Sequence, residues 1–421
     1  MDSFLFNKSN TRIKDMINYR EHAVALEGVS EHLFTEFGHT FYQFSLQEEL
    51  VDIWKVLQDD IKHNANVEFV TYVFESVEAF KVTTEIEEDR LRVNSNLNID
   101  NSVYYYPDFE VALVRIPIFR EHMNYEQSFV FSTSQTAVKR FLHYVYKQNR
   151  IYSKAHMSML IDTLNGVEER REQITTAVLR EDVLLEAGLK EEIYRSIDQF
   201  FLEDGSFFKT YDIPYKRGIL LYGHPGNGKT TLVKSIAGSV EAPVVYWQIT
   251  EHTSSYTVME VFQKVAKLTP MVLVIEDLDS MPLDVRSVFL NTLDGSTSKE
   301  GVFLVGTTNY PEKIDPALVN RAGRFDRSYE LKLPGKELRS QYAKVKRFDR
   351  FLTEDQVELL VEKTDGLSFA QLNELYTSAA LQWHYEEKVD IDELCSQLQN
   401  DNRKKKRDEW NESNHDPVGF Y

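Results

Sequence analysis

Residues 218–240 read GILLYGHPGNGKTTLVKSIAGSV. A short apolar run, Ile219 to Tyr222, leads into GHPGNGKT (223–230), and a helix-like stretch follows. The middle segment fits G-x-x-x-x-G-K-[ST] in full. A glycine-rich turn between a strand and a helix lets backbone N–H groups wrap a phosphate, with the positive end of the helix facing it. Lys229 would supply a point charge to the outer phosphates, and Thr230 would offer its hydroxyl to Mg²⁺. Gly223, His224, Pro225, Gly226, Asn227, Gly228, Lys229, Thr230 and Thr231 are therefore the expected nucleotide cradle. A chance glycine-rich turn would lack this strand and this helix.

The surroundings repeat the same grammar. PVVYWQI, MVLVIED and VFLVGTTN are three further strand-sized runs, each separated by helical patterns. That alternation predicts βαβ units and a parallel sheet. In such a sheet, ligands bind at the carboxyl ends of the strands. LVIEDLD (273–279) ends one strand in adjacent acids, Glu276 and Asp277, with Asp279 following. A buried strand that ends in paired acids is costly unless they meet a cation or water. With the phosphate loop present, the pair Glu276–Asp277 is expected to handle metal and water, with Thr230 on the metal side. GTTNYP (306–311) ends the next strand and places Asn309 where it could orient that water. NRAGRFDR (320–327) follows, with Arg321, Arg324 and Arg327 spaced by three. Arginines this dense suit charge stabilisation in phosphoryl transfer, and surface salt bridges are the bland alternative.

The remaining chain bounds the possibilities. It has 421 residues and 42% hydrophobic content, enough for two or three domains with real cores. Its net charge is −19, which argues against nucleic acid and anionic lipid as general partners. One cysteine, Cys395, excludes an internal disulfide and CxxC chemistry. No secretory signal and no run of about 20 apolar residues is present, so a soluble, cytoplasmic protein without membrane insertion is expected. Residues 1–165 look like a separate α/β region, with strand-like 67–82 and 109–119 and an amphipathic helix over 136–152. The tyrosines at 104–106 read as strand packing, and the scattered histidines have no metal-ligand spacing. Residues 166–190 read as a charged connector, 191–335 as the large α/β domain, 336–400 as a helical domain and 401–421 as a polar tail. The basic run Arg403 to Arg407 in that tail reads as solvated.

The ordered set GHPGNGKT, LVIEDLD, GTTNYP and NRAGRFDR, followed by DGLSFAQLNELYTSAAL (365–381), resembles the AAA ATPases of the AAA+ superfamily. The resemblance covers roughly residues 180–390. EDVLLEAGLKEEI (181–193) and FKTYDIPYKRGILLYGHPGNGKTTL (208–232) are similar to the mitochondrial AAA translocases that insert the Rieske protein into respiratory complexes. The resemblance implies a P-loop sheet with a helical lid, ATP and Mg²⁺ as ligands, and a homo-oligomeric ring, most simply a hexamer, acting on proteins. It also implies that Arg324 and Arg327 reach a neighbour's γ-phosphate, that Asn309 is a sensor, that Glu276 takes the metal side through a bridging water, and that Asp277 polarises the attacking water. Two departures stand out. Most relatives have Asp then Glu where this chain has Glu276–Asp277, although the Rieske translocases share the reversed order. Translocating relatives carry an aromatic-x-Gly loop, whereas TEHTSSYTV (250–258) has Tyr256 with no following glycine. No HExxH is present, unlike in the FtsH proteases. The expected activity is ATP hydrolysis driving a chaperone, remodelling or assembly machine. A processive unfoldase feeding a separate protease, and a nucleotide-gated scaffold with little hydrolysis, stay open.

Overall fold

The computed structural model describes residues 17–45, 52–75, 80–87, 90–97, 99–120, 123–164, 166–173, 178–294, 300–319 and 324–406. Two compact units divide the chain, residues 1–152 and 153–421.

The first unit is mixed α/β. Helix α1 (Ile17–Phe37) precedes β1 (Tyr42–Phe44), α2 (Ile53–Lys62) and β2 (Glu68–Tyr72). A ribbon of β3 (Phe80–Glu87) and β4 (Arg90–Leu97) follows, then β5 (Ser102–Tyr106), β6 (Val111–Arg120), β7 (Met123–Ser132) and α3 (Gln135–Ala155). An antiparallel sheet in the order β1-β7-β6-β5-β2 carries the core of this unit. Tyr104 and Tyr106 pack with Phe141 and Val145 of α3 on one side of β5, while Tyr105 packs with Leu33 and Phe41 on the other. The tyrosine run is packing, in line with its sequence reading. Asp60 of α2 is fully buried and accepts from Tyr106 Oη at 2.8 Å and from Tyr152 Oη at 2.6 Å. Both carboxylate oxygens thus have donors, which is what lets a charged group sit in that core.

The second unit begins with a hairpin, β8 (His156–Thr163) and β9 (Gly166–Gln173). Next come α4 (Ala187–Phe201), α5 (Ser206–Thr210), β10 (Lys216–Tyr222), α6 (Lys229–Ser239), β11 (Val244–Gln248), α7 (Ser255–Ala266), β12 (Met271–Glu276), α8 (Leu283–Asp294), β13 (Val302–Thr308) and β14 (Arg327–Glu330). The strands order as β14-β10-β13-β12-β11-β8-β9, all parallel except β9. Burial on both faces explains the unbroken apolar runs. On one face Val272 and Val274 of β12 meet Val233 and Ile236 of α6. On the other, Leu273 and Ile275 meet Val261 of α7 and Phe289 of α8. Four helices close the unit: α9 (Lys336–Val345), α10 (Glu354–Lys363), α11 (Phe369–Glu386) and α12 (Ile391–Lys406). Their core includes Phe348, Leu360, Leu375 and Cys395.

Three boundaries differ from the sequence expectation. Residues 156–165 were assigned to the N-terminal region and 166–190 to a connector, yet the hairpin β8–β9 extends the parallel sheet beside β11. GVEERREQ carries too many charges to resemble a core strand, but an edge strand tolerates charge and is protected by it. The helix α4 already begins at Ala187 within the expected connector, and α12 continues to Lys406 within the expected tail. Residues 407–421, including the end of the basic run, lie outside the described residues.

A clamp joins β10 to the segment that enters β14. Gly218 N donates to Asp326 Oδ2 at 2.9 Å, and Asp326 N donates to the Gly218 carbonyl at 2.8 Å. A Cβ at Gly218 would overlap the Arg324 carbonyl oxygen. Gly306 of β13 leaves room in the same way, since a Cβ there would lie 2.7 Å from the Phe325 ring. Gly218→Ala is therefore expected to destabilise this unit by about 3 kcal/mol. Denaturant unfolding of the purified protein checks this, and an unchanged midpoint would contradict it.

Candidate active site

Three neighbouring strands deliver the expected groups to one edge. The turn after β10 opens α6, the acids end β12, and Asn309 follows β13, which lies between β10 and β12. The loop owes its path to glycine: Gly223, Gly226 and Gly228 have φ of 137°, 81° and 85°. Those values are left-handed, where a side chain is strained. Gly226 also passes close to α11, because a Cβ there would lie 2.6 Å from Ala370 Cβ. Asn227 is buried and its Nδ2 donates to the Leu331 carbonyl at 3.1 Å, tying the loop to the chain beyond β14. His224, Pro225, Thr230 and Thr231 are exposed around it.

Lys229 is buried at the start of α6, with Nζ donating to the carbonyls of Gly223 at 2.6 Å and His224 at 3.1 Å. Burial pushes its pKa down, while Asp277 and Asp279 favour the charged form. The ammonium is thus held within the loop by weak acceptors that phosphate oxygens could replace. Thr230 sits one residue on, at the exposed helix N-terminus. This cradle, the cation in it, the exposed hydroxyl next to that cation and the acids that act on it fit a Mg²⁺-bound nucleoside phosphate.

The two acids differ in environment. Glu276 is half-buried, and burial followed by the neighbouring Asp277 raises its pKa, with Lys234 of α6 opposing. Asp277 is exposed and has a left-handed backbone, φ 51° and ψ 50°. Asp is among the few side chains that tolerate this region. Its N–H donates to Thr307 Oγ1 at 3.2 Å. Asp279 accepts from Thr308 Oγ1 at 2.6 Å, and Tyr310 N donates to the same Thr308 oxygen at 2.9 Å. Thr307 and Thr308 thus bolt the acid turn to the end of β13 beside Asn309. Sequence spacing gave these threonines and Asp279 no such role. Their only signal was the polar TT before Asn309.

Arg324, expected to reach a neighbouring subunit, is 3% exposed in the single chain. Its Nε donates to Asp294 Oδ1 at 2.7 Å, and its Nη atoms engage Asp294 Oδ2 and the Ala317 carbonyl. Releasing it would leave a buried charge unpaired, so it acts here as an internal brace. Arg327 is exposed at the start of β14, and Arg321 lies outside the described residues.

Residues 219–333 match the family model for the "ATPase family associated with various cellular activities (AAA)". The chain contains an AAA ATPase domain. A cell division cycle protein 48 homolog of Archaeoglobus fulgidus is 31% identical to it over 247 residues, which cover 53% of this chain and 34% of that protein. An ATP-dependent zinc metalloprotease FtsH of Ureaplasma parvum is 30% identical over 241 residues, 52% of this chain and 33% of its own. A proteasome-activating nucleotidase of Methanothermobacter thermautotrophicus is 30% identical over 217 residues, covering 46% and 53%. The chain thus spans between a third and about half of the length of these relatives. The strand order, the loop and the acids described above all belong to the AAA domain and to the elements that extend its sheet.

The helical segment also enters the site. Ser368 caps α11 by accepting from Gln371 N, and Ala370 N donates to the Gly226 carbonyl at 3.1 Å. No helix among the described residues is long and apolar enough to cross a membrane.

The raised pKa of Glu276 has a thermodynamic sign. A folded-state value above the unfolded one gives stability that is present at low pH and lost as pH rises through the folded value. In the nucleotide-free protein, Glu276→Gln should therefore raise the melting temperature at neutral pH. The gain should shrink as pH falls towards the ordinary Glu value of about 4.3. Melting curves across pH check it, and a pH-independent difference would contradict the burial argument.

Proposed function

We propose that this protein hydrolyses ATP as a homo-oligomeric ring, most simply a hexamer, and uses the cycle to remodel or assemble other proteins. The observation that carries the reading is the convergence of the Gly223–Thr231 loop, the Glu276–Asp277 pair and Asn309 at one sheet edge. On nucleotide binding, Lys229 exchanges the Gly223 and His224 carbonyls for outer phosphate oxygens. The loop N–H groups and the start of α6 hold the remaining phosphate charge. Thr230 and Glu276 would hold Mg²⁺, Glu276 through a bridging water. Its chemistry there is neutralisation of charge on the phosphates. Asp277 accepts a hydrogen bond from the attacking water and polarises it, and Asn309 fixes the direction of that water. Arg327, exposed on β14, is the described arginine best placed to serve a neighbouring site, with Arg324 kept as a brace. The residues before the sheet serve as a substrate-facing cap, and the acidic balance suits protein rather than nucleic-acid clients in the cytoplasm.

Lys229→Ala should abolish ATP turnover, and Asp277→Asn should lower it about 10²–10⁴-fold while retaining bound ATP. Phosphate-release assays with filter-bound nucleotide check both. Turnover by Asp277→Asn equal to the parent's would sink the water assignment, and full turnover by Lys229→Ala would sink the ATPase reading.

A second reading, a threading unfoldase partnered with a protease, draws on Tyr256. It is 69% exposed at the start of α7. Two curated relatives bear names that link them to proteolysis. The loop before Tyr256 is tethered, however. Thr253 Oγ1 donates to Asp162 Oδ2 at 2.5 Å, and Thr250 Oγ1 donates to the Asp162 carbonyl at 2.9 Å. A folded, tagged client should accordingly survive incubation with ATP, and Tyr256→Ala should leave turnover near the parent's. Unfolding of the client that Tyr256→Ala abolishes would favour threading instead.

A further inference from the structure

Tyr246 lies in the middle of β11, 4% exposed, and its hydroxyl is buried without a hydrogen-bond partner among the described residues. Such a group is costly, because the water it gave up has not been replaced. Its surroundings say where a partner could come from. The register pairs Tyr246 with Val274, and Glu276 is two residues further along β12 on the same sheet face. Tyr246 and Val274 share a core with Val233 and Ile236 of α6. Lys234, on the same helix, lies close enough to Glu276 to influence it. Thr230 is one helical turn before Lys234. The hydroxyl and the longer acid therefore lie on the face of the sheet that α6 covers. Burial and the Glu276 charge both hold Tyr246 in its protonated, donating form.

We propose that Tyr246 is a positioning residue for Glu276, donating its phenolic O–H to one carboxylate oxygen when the cation–nucleotide complex binds, so that the other oxygen faces the cation. This rests on the ATP and Mg²⁺ reading above. It gives the reversed acid pair a physical reason: the extra methylene of Glu lets one carboxylate serve both the buried hydroxyl and the metal side. An Asp at 276 would be too short for both. The residue acts through Glu276 and touches no reacting atom.

The test reads metal binding directly. Mn²⁺ affinity of the full chain saturated with ADP is measured by electron paramagnetic resonance for the parent, Tyr246→Phe, Glu276→Asp and the double variant. Hydrogen-bond donors that hold a metal-binding carboxylate are worth about 10–100-fold in metal affinity. Tyr246→Phe should weaken Mn²⁺ by roughly 10-fold in the parent background and by nothing in the Glu276→Asp background, with metal-free ADP affinity unchanged. Three results overturn the proposal. One is a Tyr246→Phe variant that melts higher yet holds Mn²⁺ as the parent does, which marks a merely trapped hydroxyl. The second is an equal loss in both backgrounds, and the third is no Mn²⁺ bound with ADP in the parent. The ATPase reading fails by a different measurement, full turnover in Lys229→Ala, so the two failures are told apart.

Discussion

The burial of β12 and β13 on both faces is the constraint from which the second unit follows. Met271 to Ile275 and Val302 to Val305 face helices above and below, so no polar side chain can be accommodated along them. Polar chemistry is displaced to the point where each strand runs out. Because the strands are parallel, those points lie on one edge. The phosphate loop, the acids and Asn309 meet there as a consequence of what the strands exclude. The hydroxyls of Thr307 and Thr308, at the end of β13, then hold the acid turn in place.

The GRFDR segment shows how one motif can serve the fold and the site at once. Phe325 fills the space that Gly306 leaves, Asp326 exchanges hydrogen bonds with Gly218, and Arg324 is bound by Asp294. Three of its five residues are therefore engaged within the fold, Asp326 with β10, Phe325 with β13 and Arg324 with α8. The arginine that follows, Arg327, is the exposed one. Spacing by three had suggested equivalent roles for these arginines, but burial separates them.

What could be read from the amino-acid order was local. The phosphate loop, the acid pair and the strand that ends in Asn309 are each contiguous, and their periodicity is that of the element they belong to. Features that depend on residues far apart in the chain were out of reach. Asp294 lies 30 positions from Arg324, and nothing in either neighbourhood announces the pair. The charged strand β9 was mistaken for a connector because its side chains need no core. Asn165-Gly166 before it was a usable hairpin signal. The unpartnered hydroxyl of Tyr246 depends on strand register and on α6 above it, neither of which a single strand reveals. In the first unit, alternation and amphipathicity yielded strands within 67–82 and 109–119 and the helix α3, but not α1 or β7, and no chemistry; its buried Asp60 is satisfied from within, by Tyr106 and Tyr152.

The contact between Gly226 and Ala370 has a mechanical meaning. Helix α11 has 18 residues, so it is a rod of about 27 Å. One end is fastened to the phosphate loop by a single backbone hydrogen bond, and the other end carries the exposed Trp383 and Tyr385. A displacement of the loop either breaks that bond or tilts the rod. A tilt pivoting near the core at Leu375 moves the aromatic end through a longer arc than the loop itself travels. A small movement of the loop is thereby geared up before it reaches the surface.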